Sequence, residues 1–183
     1  KDFAAALKAD PTKVPVAGGS AGGTDYIMLG MIAQAVGVDP SKVSYVAFSG
    51  GGPAVAAMLG NQVAAGISGY GEFGEQIKAG KLRLLAISAD KRQAGIDAPT
   101  LKEEGIDVEL FNWRGVFAPP GVSDAQRNEM TSLIQKMVAT PQWAEICKAR
   151  DWTQITMLGD DYRKFIDAED VRIEGILKQL GLA

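Results

Sequence analysis

Three short glycine clusters hold the residues best suited to chemistry: Gly18–Gly23, Gly50–Gly52 and Gly69–Gly71. Each follows an apolar, strand-like run and precedes a helix-like stretch. Hydroxyl groups accompany all three turns, with Ser20 and Thr24 at the first, Ser49 at the second and Ser68 at the third. The start of a helix presents backbone N–H groups with no intrahelical partner and a partial positive charge, so it favours an anion. Glycine lets that anion approach the backbone closely. If the three strands run parallel, all three turns emerge at the strand carboxyl ends, the rim where open α/β sheets bind ligands. The chemistry expected there is capture of a carboxylate or phosphate group. The competing expectation is that the glycines only close tight turns and the hydroxyls serve as helix N-caps.

Other motifs point to chemistry that the composition opposes. The segment Gly18-Gly19-Ser20-Ala21-Gly22 matches the G-x-S-x-G nucleophile elbow, yet the chain contains no histidine to act as its base. The missing histidine also removes the commonest general base and metal ligand. No Cys/His set or Asp-rich loop replaces it, so neither a metal site nor catalytic residues are expected. The segment Gly69-Tyr70-Gly71-Glu72-Phe73-Gly74 matches G-x-G-x-x-G, and Asp90 follows where a ribose-binding acid would sit. A nucleotide-binding enzyme domain is therefore an alternative, weakened by the short helix between and by the bulky Tyr70 and Phe73. The pairs Glu72/Glu75 and Glu103/Glu104 read as solvated helix faces, with Glu72 distinguished by its place after the third turn. Arg114 offers a guanidinium for a carboxylate or for a surface ion pair. The single Cys147 reads as a packed thiol.

These residues must be positioned by the elements around them. The first ninety residues alternate strands and helices: Val14–Ala17, a helix over Thr24–Val36, Val43–Phe48, a helix over Pro53–Leu59, Val63–Ser68, a helix over Glu72–Lys78, and Leu82–Ser88. That order predicts a mostly parallel sheet covered by helices. A helical piece at Leu101–Glu104 and a strand over Val108–Trp113 lead to Pro119-Pro120-Gly121, a boundary signal. Beyond it, Ser123 and Gln126 form a capping box for a helix to Ala139. Further helices are expected over Pro141–Ala149 and Asp160–Leu180, with a strand at Trp152–Met157 between them. A length of 183 residues suits one large domain or two small lobes. The net charge of −3 opposes a broad nucleic-acid surface. No apolar run reaches the roughly 18 residues of a membrane span. The chain opens inside a helix-like stretch without an initiator Met, which reads as a truncated or processed start.

The ordered set of motifs resembles the extracytoplasmic solute receptors of tripartite tricarboxylate transporters, the TctC/Bug type. The resemblance is carried by Gly18–Asp25, Tyr45–Gly52, Gly66–Gly69, Ile77–Arg83, Ala98–Leu101 and Asn112–Gly121, and it spans nearly the whole chain. It implies a two-lobed periplasmic-binding-protein fold and a periplasmic receptor that delivers di- or tricarboxylates to membrane permease subunits without cofactor or catalysis. In those terms residues 1–110 are the ligand-binding α/β lobe, the second of the receptor. Residues 111–183 are the crossing strand and C-terminal helices that complete the first. Such receptors carry about a hundred residues ahead of the point matching Lys1, enough for the sheet of another lobe. They commonly have His where Tyr26 stands. An effector-sensing domain of a transcription regulator shares the broad fold and is a further alternative.

The expected ligand contacts are Ser20, Ala21, Gly22, Gly23, Thr24 and Asp25 in the first turn, Ser49, Gly50 and Gly51 in the second, and Ser68 and Glu72 in the third. The first turn's backbone N–H groups and the Ser20 and Thr24 hydroxyls are expected to hold one carboxylate. Ser49 and Ser68 would reach a second polar end.

Overall fold

The computed structural model describes residues 1–181. They form seven α-helices and a three-stranded parallel sheet, grouped into two compact units. The first unit is Lys1–Asn112 with the chain from Ile173 onward, and the second is Trp113–Arg172.

In the first unit, α1 (Asp2–Ala9) leads through a 3-10 turn into β1 (Val16–Gly18). Then come α2 (Thr24–Ala35), β2 (Tyr45–Ala47), α3 (Gly51–Leu59), β3 (Ala65–Gly66) and α4 (Tyr70–Lys78). The sheet order is β2-β1-β3, so β1 is central and both of its neighbours run parallel to it. The register pairs Gly18 with Ala47 and Ala17 with Gly66. Bonds from Phe48 N–H to the Gly18 carbonyl and from Ile67 N–H to the Ala17 carbonyl extend the ladders toward the turns.

The period-2 alternation of a strand explains how helices cover both faces. Val16 points into one cluster with Leu7, Ile27, Leu29, Ile32, Val108 and Leu110. Its neighbour Ala17 points the other way, into a cluster with Ala54, Ala57 and Val63. The apolar spacing of α2 supplies the first cluster, and Ile173, Ile176 and Leu177 pack against its margin. Gly30 in α2 leaves the space that Leu180 occupies, and a methyl group there would overlap the leucine.

The sheet is smaller than the sequence implies. Leu82–Ser88, Val108–Trp113 and Trp152–Met157 form no ladder, and Ile87 makes only an isolated parallel bridge to Thr100. Apolar content reports burial and not pairing: Val108 and Leu110 are buried. The Leu110 carbonyl takes the Ser88 hydroxyl at 2.7 Å, and Leu110 N–H reaches the Ser88 carbonyl at 3.4 Å, a single backbone bond that no ladder continues. Leu101–Glu104 is a turn, not a helix. It is closed like a capping box, with Thr100 N–H bonded to Glu103 at 2.7 Å and Glu103 N–H to the Thr100 hydroxyl at 3.1 Å.

In the second unit, α5 (Asp124–Val138) starts on the capping box expected from Ser123 and Gln126, with both halves formed. Thr140 caps α6 (Pro141–Ala149), and Cys147 is buried on that helix. The segment of α7 (Gly159–Gln179) that belongs to this unit carries Tyr162 and Phe165, which meet Trp113 edge-on. Gly115 lies directly against the Tyr162 hydroxyl, which is buried without a hydrogen-bond partner among the described residues. The guanidinium groups of Arg114 and Arg150 lie 5.7 and 5.5 Å from the centre of the Trp152 ring. Arg114 is therefore engaged in cation–π contact.

Candidate functional site

All three glycine clusters lie at the carboxyl ends of parallel, mutually bonded strands, so the structure gathers them on one rim of the sheet. The helices that follow begin on Gly23, Gly50 and Gly69, and none of these starts receives a side-chain cap. The hydroxyls of Ser20, Ser49 and Ser68 are thus not N-caps, contrary to the competing expectation. Among the described residues the first N–H groups of α2 and α3, and those of Tyr70 and Gly71 in α4, remain without intrahelical or capping partners on that rim, while Glu72 N–H bonds back to the Gly69 carbonyl at 3.0 Å. Pro53, the third residue of α3, has no N–H to offer.

The first turn is built around Gly19. Its N–H donates to the Asp25 carboxylate at 2.8 Å, and its carbonyl accepts the Tyr45 hydroxyl at 2.8 Å. Gly18 has to be glycine for this to happen, because a methyl group there would overlap both the Tyr45 hydroxyl and the Asp25 side chain. Gly23 N–H closes the turn on the Ser20 carbonyl at 2.9 Å, and Gly22 sits at φ +76°. The glycine-turn amides at Gly19 and Gly23 are therefore already used within the loop. The donors left for a ligand are the amides of Ser20, Ala21 and Gly22 in the turn and those of the first turn of α2, from Thr24 onward. Ser20 and Ala21 are exposed at the lip, and Gly22, Gly23, Thr24 and Asp25 are half-buried behind them.

The charge state of this turn follows from its burial. Burial raises the Asp25 carboxyl above its ordinary value; the Gly19 N–H opposes the rise and the nearby Glu72 charge adds to it. Burial, together with Asp25 and Tyr26, pushes the Tyr45 phenol well up, so it stays a protonated donor. Tyr26 stacks on Tyr45 with ring centres 4.6 Å apart and planes 16° apart. Tyr26 thus stabilises the residue that holds Gly19. Tyr45 was not among the sequence-derived contacts. The available signal was a Tyr at the start of a strand ending in the second glycine cluster.

At the second turn, Ser49 is exposed and Gly50 adopts φ +153°, ψ −176°, a conformation essentially restricted to glycine. Gly51 is buried as the first residue of α3. At the third turn, the Ser68 hydroxyl donates to Glu72 at 3.1 Å. The Glu72 carboxylate crosses to Gly51, where a methyl group would overlap it. Ser68 and Glu72 are brought together, and Glu72 brings a negative charge to the positive end of α3. The G-x-G-x-x-G pattern lies largely inside α4, with Gly74 packed under the Tyr70 ring, and Leu82–Ser88 forms no ladder to carry Asp90. The dinucleotide-binding turn is not built. Among the described residues no group of three or more metal-ligating side chains occurs, and no helix is long and apolar enough to cross a membrane.

Residues 1–182 match the tripartite tricarboxylate transporter family receptor. The chain belongs to that family. It is 28% identical over 179 residues to protein BugT of Bordetella pertussis, covering 97% of this chain and 54% of BugT. The chain therefore spans about half the length of that curated relative. Among solved structures it resembles Rpa4515 of R. palustris, determined with adipate, at a TM-score of 0.83 and 20% identity. That match covers 100% of this chain and 60% of Rpa4515. It also resembles MatC of Rhodopseudomonas palustris, determined with bound malate, at a TM-score of 0.67 and 20% identity over 98% of this chain and 58% of MatC. At these identities the structural likeness establishes the fold: an α/β arrangement with a parallel sheet, as in periplasmic binding proteins.

Proposed function

We propose that this chain forms the carboxylate-binding part of a periplasmic solute receptor that hands small di- or tricarboxylates to the permease subunits of a tripartite tricarboxylate transporter, and that it catalyses nothing. The observation that carries the reading is the convergence of three uncapped helix starts, each on a glycine, at one rim of a parallel sheet. Amides fixed in this way attract an acid group without a basic side chain. Family membership supports the receptor role, and the relatives determined with adipate and malate support a carboxylate as cargo. In this reading residues 1–110 belong to the second lobe of the receptor and residues 111–183 complete the first.

The ligand carboxylate accepts hydrogen bonds from the first amides of α2 and from the Ser20 and Thr24 hydroxyls. A second polar end reaches the α3 and α4 starts beside Ser49 and Ser68. Calorimetric titration of the complete protein with adipate, malate and citrate tests this. At least one should bind, and Thr24→Ala should weaken that binding about tenfold, the worth of one bond to a charged group. Absence of binding for all three overturns the carboxylate reading. Unchanged affinity in Thr24→Ala removes Thr24 from the site.

A further inference from the structure

We propose that Glu72 is an internal competitor for the anion position: its own carboxylate lies against Gly51 at the start of α3 and takes the Ser68 hydroxyl, and a ligand carboxylate gains that hydroxyl and the space beside the α3 amides only by displacing it. The inference rests on the carboxylate-receptor reading and adds to it the residue that sets how readily the second acid group is accepted.

The geometry is specific. Glu72 is the third residue of α4, yet its side chain does not fold back to cap its own helix. It reaches across to α3, where its Oε2, Cβ and Cδ all crowd the face of Gly51 that lacks a side chain. Ser68 donates to the same Oε2 at 3.1 Å. Among the described residues no cation lies within ion-pair distance of Glu72. The carboxylate accepts from a hydroxyl and lies beside the positive end of a helix, the two kinds of group that would hold an external carboxylate at this turn. Glu72 is nevertheless exposed to solvent, so it can swing away without uncovering the core. Asp25, the other acid on the rim, differs on each point. It is half-buried, bonded to Gly19 N–H, and fixed by the stacked tyrosines' hold on the same loop. One acid is part of the wall, and the other is seated in a place that a ligand can take.

Competition has a definite sign. A residue that merely props the turn should weaken binding when altered, whereas a competitor should strengthen it. Glu72→Gln keeps the shape and the acceptor for Ser68 but removes the charge, and Glu72→Ala removes the group altogether. The experiment is calorimetric titration of the complete protein and both variants with adipate, malate and citrate, alongside thermal melts of the unliganded proteins. For whichever of these the wild type binds, both variants should bind it about tenfold more tightly, because a like charge no longer shares its donors. Affinity that is unchanged or weaker in Glu72→Gln, with the melt preserved, overturns the proposal. A selective loss of malate and not of adipate would mean that Glu72 accepts a hydroxyl from the ligand, which also overturns displacement. If none of the three binds wild type or variants, the carboxylate reading fails and this inference fails with it. If the wild type binds and only the predicted tightening is missing, the receptor reading stands and Glu72 alone is reassigned.

Discussion

The Tyr45 hydroxyl donates to the Gly19 carbonyl at 2.8 Å across the junction of β2 and β1. With Asp25 on the N–H of the same residue, both polar groups of the Gly19 peptide are held by side chains from different elements. The first ligand turn is thereby fixed before any ligand arrives, which lowers the entropy lost on binding.

Tyr45→Phe tests that fixation. The phenyl ring keeps its stack on Tyr26, while the Gly19 carbonyl loses its donor in a half-buried position. A single neutral hydrogen bond of this kind contributes about 1 kcal/mol. In a chain of this size that corresponds to a drop of about 2–4 °C in melting temperature. Urea unfolding should show the midpoint fall with the slope unchanged. A variant as stable as wild type would mean that the bond contributes nothing to the loop.

Asp25→Asn addresses the electrostatics of the same turn. Burial raises the folded-state pKa of Asp25 above the ordinary 3.8. The folded state then holds its proton at pH values where the unfolded chain has released it. Stability from this group is fully present below the ordinary value and is lost as pH rises through the folded one. Asparagine still accepts from Gly19 N–H but does not titrate. The melting-temperature difference, variant minus wild type, should therefore move in favour of the variant as pH rises above the ordinary 3.8. A difference that is flat with pH would show that Asp25 ionises as easily in the folded protein as in the unfolded chain.

These two residues also mark the limit of what the sequence made legible. The turns could be placed because strand, glycine turn and helix recur in order, and parallel topology then puts every turn on one rim. The helices were equally readable: the apolar spacing of Ile27, Met28 and Ile32 and the Ser123–Gln126 capping box each report a local pattern. Strand pairing was not readable beyond β3, because Val108 and Leu110 are apolar for burial while Val108 N–H turns back to Ile106 and Leu110 makes a single backbone bond, to Ser88, that no ladder continues. Donor occupancy was hidden for a similar reason. That Gly19 N–H is taken by Asp25, and that Glu72 lies on Gly51, depends on distances across neighbouring turns. Neither the glycine pattern nor the hydroxyls encode those distances.

The second turn provides a purely conformational prediction. Gly50 stands at φ +153°, ψ −176°, where nothing lies within 4 Å of an added methyl group. The obstacle to alanine is therefore backbone strain and not crowding. An L-residue in this region costs about 1–3 kcal/mol. Two positions on, Gly52 lies within α3, also with nothing within 4 Å, and without the positive φ. There alanine should be neutral or stabilise by up to about 1 kcal/mol, since it loses less conformational freedom on folding. Urea unfolding of Gly50→Ala and Gly52→Ala should give changes of opposite sign or, at the least, a clear loss only for Gly50. Equal effects would mean that α3 can begin in another conformation, and the placement of the Gly51 amide on the rim would then not depend on Gly50.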